Sequence, residues 1–214
     1  MHRHGNLTIP STLGELADPA RTALLVYDMQ VGIASQVACG GEVTRKIGGL
    51  LAAARAAGMR VAYSRHLSLS RAWMGVAQMR MAMAWQRTQD PEQVRPWFLR
   101  GGAAIEIVPE LAPQPDDMVF DKIAMSAFEG TFLATAMRDA GLTGLAIAGI
   151  ATEIGIEPTA RHAADLGFIP ILLTDACGGG HAEAAERTIQ ALHFAGDAVI
   201  TTTDEFVGAL SSPA

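Results

Sequence analysis

Three stretches of this sequence bring an apolar, strand-like run to residues that can do chemistry. Leu24-Leu25-Val26-Tyr27 runs into Asp28, and Met118-Val119-Phe120-Asp121 runs into Lys122. Leu145 to Ile150 leads through Ala151 into Thr152-Glu153-Ile154-Gly155, which turns the chain towards a helix. A carboxylate can take or give a proton, and an ammonium beside it can hold it in place and stabilise developing negative charge. A strand-to-helix turn is a usual seat for a nucleophile, yet this one offers Gly155, which has no side chain. In an open parallel sheet all the strands' carboxyl ends lie on one edge, so Asp28, Lys122 and Gly155 are expected to meet in one crevice.

The scaffold that would bring them there is legible as an alternation. Strand-like runs at Leu24 to Asp28, Arg60 to Ser64, Met118 to Asp121, Leu145 to Gly149, Ile169 to Thr174 and Ala198 to Thr201 are separated by helical stretches. Between the first two, Val43, Ile47, Leu50, Leu51 and Ala54 recur at helical spacing, and Gly58 follows as a stop. Apolar runs that do not alternate with polar residues imply burial on both faces, hence an α/β fold with a parallel sheet covered by helices on each side. With 214 residues, half of them hydrophobic, the chain fits a single domain with a large core.

One segment breaks the pattern. Residues 67 to 115 stand where a short βα connection is expected, and they hold Trp73, Trp85 and Trp97, all the tryptophans of the chain. Val76, Met79 and Met83 fit one helical face, while Met74, Met81 and Trp85 lie off it. A helix apolar on more than one side can be a lid that lines an apolar substrate pocket, a core or subunit-interface helix, or both in a dimer.

Composition narrows the function classes. A net charge of -6 gives no support to nucleic-acid or anionic-membrane binding, which need clustered Lys and Arg, and a small-molecule substrate is the simpler expectation. No apolar stretch approaches the roughly 20 residues that span a bilayer, and Met1 to Ala20 lacks a signal-like apolar core, so a cytoplasmic protein is expected. Cys39 and Cys177 are far apart and form no metal-type spacing, and two reduced thiols are expected. His2 and His4 fall in a start read as unstructured.

The pieces Leu24 to Gln30 (LLVYDMQ), Asp117 to Leu133 (DMVFDKIAMSAFEGTFL), Leu145 to Gly167 (LAIAGIATEIGIEPTARHAADLG) and Thr174-Asp175-Ala176 together resemble the isochorismatase-like hydrolases. This cysteine hydrolase family includes nicotinamidases, N-carbamoyl amidases and isochorismatases, and the resemblance runs from Arg21 to Phe206. It implies a Rossmann-like three-layer α/β/α fold, with a six-stranded parallel sheet in the order 3-2-1-4-5-6 and the 67–115 insertion after strand 2. Most members use an Asp-Lys-Cys triad, which places Asp28 and Lys122 here and puts Gly155 at the cysteine position, as in the isochorismatases.

The implied chemistry is therefore hydrolysis without a cysteine, with Asp28 as acid or base and Lys122 as its electrostatic partner. The bond is that of an enol ether such as isochorismate, or a C–N bond attacked by activated water; a non-catalytic binding protein on the same fold is the remaining reading. The family also implies a cis peptide at Ile150-Ala151 that aims the N–H groups of Ala151 and Gly155 into the crevice. At Gly155 the missing side chain would leave room for a bulkier substrate or a water.

Substrate contacts are expected from Gln30, His66, Trp73, Trp85, Phe128, Ala151 and Glu153, with Ser126 and Thr131 supporting the helix after Lys122. His66 stands where isochorismatases keep a substrate-binding Gln, and capping the strand is its other reading. Arg65, Arg71, Arg80, Arg87 and Arg100 are available cations for an acidic substrate. No metal and no cofactor is expected, because His66 lacks the close His companion through which nicotinamidases bind a divalent ion. Cys177, near His181, is a weaker candidate for a relocated nucleophile. A homodimer or homotetramer is expected.

Overall fold

A computed structural model describes residues 1–210. The chain opens with a hairpin, β1 (His2–His4) and β2 (Leu7–Ile9), and a short helix α1 (Leu13–Leu16). The expected unstructured start is thus an antiparallel pair, turned at Gly5 with φ +57, although every side chain in it is exposed. A Gly-Asn turn can close two short strands without a core to bury, a local signal that apolar patterning does not carry.

The body is β3 (Thr22–Tyr27), α2 (Val31–Ala34), α3 (Gly40–Ala56), β4 (Arg60–His66), α4 (Val76–Trp85), β5 (Met118–Lys122) and α5 (Leu133–Asp139). It continues through β6 (Gly144–Ile150), α6 (Glu157–Asp165), β7 (Ile169–Gly178), α7 (Ala182–Ala195), β8 (Val199–Thr201) and α8 (Thr203–Leu210). Six strands form one parallel sheet in the order β5-β4-β3-β6-β7-β8, which is 3-2-1-4-5-6 by first appearance, as expected.

The central strands β3 and β6 are buried at every residue. Alternate side chains of β3 feed two cores: Leu24 and Val26 pack with Ile47, Leu50 and Leu51 of α3 and Phe206 of α8, while Leu25 and Tyr27 pack with Leu133 and Met137 of α5 and Ala160 of α6. Each fully buried aliphatic side chain stabilises the fold by about 1.5–3 kcal/mol relative to exposure, so Leu25→Asp would remove that and bury an unpaired charge. Pro158 is tolerated in the first turn of α6, where a backbone N–H has no helical partner.

Between β4 and β5 the insertion runs through 3-10 turns at Arg71–Trp73, Pro91–Gln93, Ala103–Ile105 and Pro109–Leu111, with α4 between the first two. No residue of α4 is buried, but Val94, Phe98, Ile105 and Leu111 further along are anchored in the body. Its return leg pairs with the chain just past β3, through Val31 N–H to Glu106 O at 2.8 Å and Val108 N–H to Met29 O at 3.0 Å. The insertion is thereby held beside Asp28. Among the described residues no helix is long and apolar enough to cross a membrane.

Candidate active site

Asp28 follows β3 directly and adopts a left-handed backbone, φ +47, which an L residue other than Asn or Asp seldom accepts. Strain of this kind collects at functional positions. The turn is held by the Asp28 N–H, which donates to the carbonyl and the hydroxyl of Ser64, both at 3.2 Å. Ser64 Oγ donates in turn to Asp28 Oδ1 at 2.7 Å, and Lys122 Nζ donates to Oδ2 at 2.7 Å.

Parallel register brings these residues together. Tyr27 pairs with Ser64 and His66 pairs with Lys122, so three strand ends stack side by side at the carboxyl edge. The lysine side chain is 0% exposed and that of Asp28 5%. Lys122 also donates to Ala124 O at 3.2 Å and lies 4.4 Å from the centre of the Tyr27 ring. A buried ammonium with these contacts is well satisfied, and each carboxylate oxygen keeps a lone pair for a further donor.

The third expected member arrives on a π-helical turn, Thr152–Ile156, after a cis Ile150–Ala151 peptide. The N–H groups of Ile154, Gly155 and Ile156 all donate to Ala151 O, at 3.3, 3.0 and 3.1 Å. The Gly155 N–H is therefore not aimed into the crevice as expected, because the tight turn uses it. Nor does Gly155 leave room. A Cβ on Gly155 would lie 1.9 Å from the hydroxyl of Tyr27, so the volume expected for a bulkier substrate or a water is filled by that phenol. Thr159 Oγ, which donates to Gly155 O at 2.7 Å and accepts from Ala127 N–H at 3.0 Å, ties this turn to the loop after β5.

Asp28, Tyr27 and Gly155 face a cavity of about 360 Å³, a size suited to a small molecule. Lys122 is not on its wall; it stands behind Asp28. Of the expected contact residues, His66, Trp85 and Ala151 are on the wall. His66 is only 6% exposed, its ring sits edge-on to Trp85 and Phe98, and its Nδ1 is buried without a hydrogen-bond partner. Burial, helped by Lys122 and opposed by Asp28, pulls its pKa down to about 4, so the imidazole is neutral at ordinary pH.

The other four expected contacts lie off the wall. Gln30 is fully buried and clamps the His66 backbone, donating to its carbonyl at 3.0 Å and accepting from its N–H at 2.6 Å. Phe128 stacks on Phe168 inside the sheet's second core, with ring centres 5.7 Å apart. Glu153 accepts from the N–H groups of Gly180 and His181 at 2.8 and 2.9 Å, which fastens the loop after β7. Trp73 is 78% exposed on the outside of the insertion.

Wall residues missed in the sequence are Tyr27, Phe98, Met125 and the apolar group around Ile33, Val37 and Ile154. Arg87 and Trp97, noted only in passing, are there too. Arg87 ends α4 with φ +52, its N–H bonded to Ala84 O and the next N–H to Met83 O. That helix ending favours glycine, and an arginine held there in the left-handed conformation is a strain that only the structure shows. Arg87 makes no ion pair among the described residues.

Ser126 and Thr131 brace the loop after β5, Ser126 Oγ lying 3.0 Å from His162 Nδ1 and Thr131 donating to Ala127 O at 2.6 Å. Desolvation pushes the Cys177 thiol far above its ordinary range, and its sulfur contacts Ile147 O at 3.5 Å, which makes it a poor nucleophile. Among the described residues no three His, Cys, Asp or Glu side chains gather as a metal site would need.

A buried Asp–Lys pair thus stands at the carboxyl edge of a doubly wound sheet, with Asp28 facing a small-molecule cavity, and comparison with known proteins gives the class of fold as that of a hydrolase family. The isochorismatase domain matches residues 22–205, and the chain belongs to the isochorismatase-like hydrolases of the cysteine hydrolase superfamily. It is 30% identical over 184 residues to a ureidoacrylate amidohydrolase RutB of Pseudomonas syringae pv. syringae, covering 79% of this chain and 75% of that protein. A protein of the same name from Methylobacterium radiotolerans is 30% identical over 201 residues, covering 86% and 78%. Among solved structures, a cysteine hydrolase from Pseudomonas syringae pv. phaseolicola superposes with a TM-score of 0.78 at 27% identity, covering 90% and 93%. The pyrazinamidase of Pyrococcus horikoshii gives 0.69 at 25% identity, covering 85% and 99%.

Proposed function

We propose that this protein hydrolyses a C–N bond, of the amide or ureido type, in a small and partly apolar anion, using water activated by Asp28. The observation that carries this reading is the Asp28 carboxylate, held by Lys122 and Ser64 at 2.7 Å each and opening on the cavity where residue 155 supplies no nucleophile. Asp28 takes a proton from the water, the water oxygen bonds to the carbonyl carbon, and the C–N bond breaks as the same proton passes to the leaving nitrogen. Lys122 works through Asp28 and its charge, since it does not reach the cavity. Arg87 is the wall's cation and His66 is neutral, so a monoanion fits the cavity's charge. The names of the amidohydrolase relatives support the C–N bond.

Gly155 favours a second reading, an enol ether. There Asp28 gives its proton to the terminal carbon, water attacks the oxocarbenium carbon, and a ketone and an alcohol leave. Trp73 and Val76, 78% and 80% exposed on the insertion, support a homo-oligomer.

The test is a turnover screen of carboxylate-bearing amides, ureido compounds and enol ethers, scored by mass spectrometry. Release of an amine or ammonia, lost by about 10² to 10⁴ in kcat in Asp28→Asn and kept in the Cys39→Ala, Cys177→Ala double variant, is the expected result. Ketone release assigns the enol ether instead, and tight binding without turnover assigns a binding protein.

A further inference from the structure

The chemistry above leaves the phenol of Tyr27 without a task. Tyr27 closes β3 between Ser64 and Gly149, is 1% exposed, and donates its O–H to the carbonyl of Met125, another wall residue. A Cβ placed on Gly155 would stand 1.9 Å from the Tyr27 Oη, 2.5 Å from Cζ and 2.8 Å from Cε1. Atoms that close cannot coexist, and the ring has little freedom to step aside: Lys122 lies over its face at 4.4 Å and Met125 holds its oxygen. Tyr27 and any side chain at position 155 are mutually exclusive.

We propose that Tyr27 sets the reaction class of this site: its phenol fills the volume that a nucleophilic side chain on residue 155 would need, leaves the attack to water, and presents its O–H to the oxygen on which negative charge develops. The second half rests on the hydrolase reading; the first does not. Burial, and then the negative charge of Asp28, hold the phenol neutral well beyond its ordinary range, so it is a hydrogen-bond donor at every working pH. Its proton already points to one carbonyl oxygen. Turning about the C–O bond transfers it from Met125 to the oxygen of a bound substrate, with no bond made or broken.

Four variants in a Cys39→Ala, Cys177→Ala background test this. Gly155→Cys alone should lower the thermal midpoint by about 5–10 °C, the usual scale for overpacking a core in a chain of this size. Adding Tyr27→Val, or Tyr27→Leu if the valine variant does not fold, should bring the midpoint back to that of the Tyr27 variant alone. Its thiol should then be acetylated by p-nitrophenyl acetate. In that step the sulfur bonds to the acetyl carbon, the ester C–O bond breaks, p-nitrophenolate leaves, and the thiol proton passes to Asp28. A Gly155→Cys protein as stable as its parent, a thiol acetylated equally fast with Tyr27 present, or a Gly155→Cys substitution that lowers the midpoint as much in the Tyr27 variant as in its parent overturns the exclusion.

Tyr27→Phe keeps the ring and removes only the O–H. It should lower kcat about 10²-fold with KM within about twofold, as loss of an oxyanion donor does. More than half the parental kcat overturns the donor role. Stability and acetylation need no natural substrate, so failure of the hydrolase reading and failure of the Tyr27–Gly155 exclusion give different results.

Discussion

Acidification should destabilise this fold through His66, and the size of the effect follows from where that ring sits. Its folded pKa of about 4 lies below the 6.5 of an unfolded histidine, because burial penalises the imidazolium. A depressed folded pKa means that the unfolded chain binds more protons between the two values, so stability is fully present above about pH 6.5 and is lost as pH falls towards about 4. At 1.36 kcal/mol per pH unit the whole gap is worth about 3 kcal/mol, of which about 2.5 kcal/mol is lost by about pH 4.5. His66 is 6% exposed, so solvent screens little of this.

A His66→Phe variant isolates the contribution of the histidine. Phenylalanine keeps an aromatic ring against Trp85 and Phe98 and cannot titrate. Any packing penalty of the variant is independent of pH and cancels in the slope. Guanidinium unfolding at a series of pH values should show the wild-type advantage shrinking by about 2.5 kcal/mol between about pH 7.5 and 4.5. A difference that changes by less than about 0.5 kcal/mol, or that grows on acidification, would refute the assignment of His66 as a neutral, desolvated wall residue.

Lys122→Met should destabilise the protein by about 3–5 kcal/mol and cut turnover as severely as Asp28→Asn, because it leaves a buried carboxylate alone. The Asp28→Asn, Lys122→Met double variant should recover most of the stability and none of the activity; equal stability of Lys122→Met and wild type in urea unfolding refutes it. Arg87→Gln should raise KM for an anionic substrate about fivefold, with kcat nearly unchanged and the effect weakened by salt, since an exposed cation contributes about 1 kcal/mol. An equal rise for a neutral analogue would show that Arg87 acts by packing and not by charge.

Strand runs, their order along the chain and the charged residues at their ends were legible because each is local: burial on both faces writes itself into β3 and β6 as unbroken apolar residues. Asp28 and Lys122 could be paired in advance because a parallel sheet must put both strand ends on the same edge. The cavity wall could not be read this way, since it is assembled from five or more separate segments whose side-chain directions depend on turns. Gln30, Phe128 and Glu153 sit next to site elements in sequence but spend their polar groups or rings on holding them. Conversely Tyr27, read as one more apolar residue of β3, and Gly155, 128 positions later, are linked only by a distance too short for a Cβ. That distance follows from β3 and β6 lying side by side and from the tight turn after Ile150, neither of which leaves any trace in local composition. The kinds of residue available for chemistry were thus a property of the sequence, while which atoms could share space was decided by the fold, because excluded volume acts between neighbours in space and not along the chain.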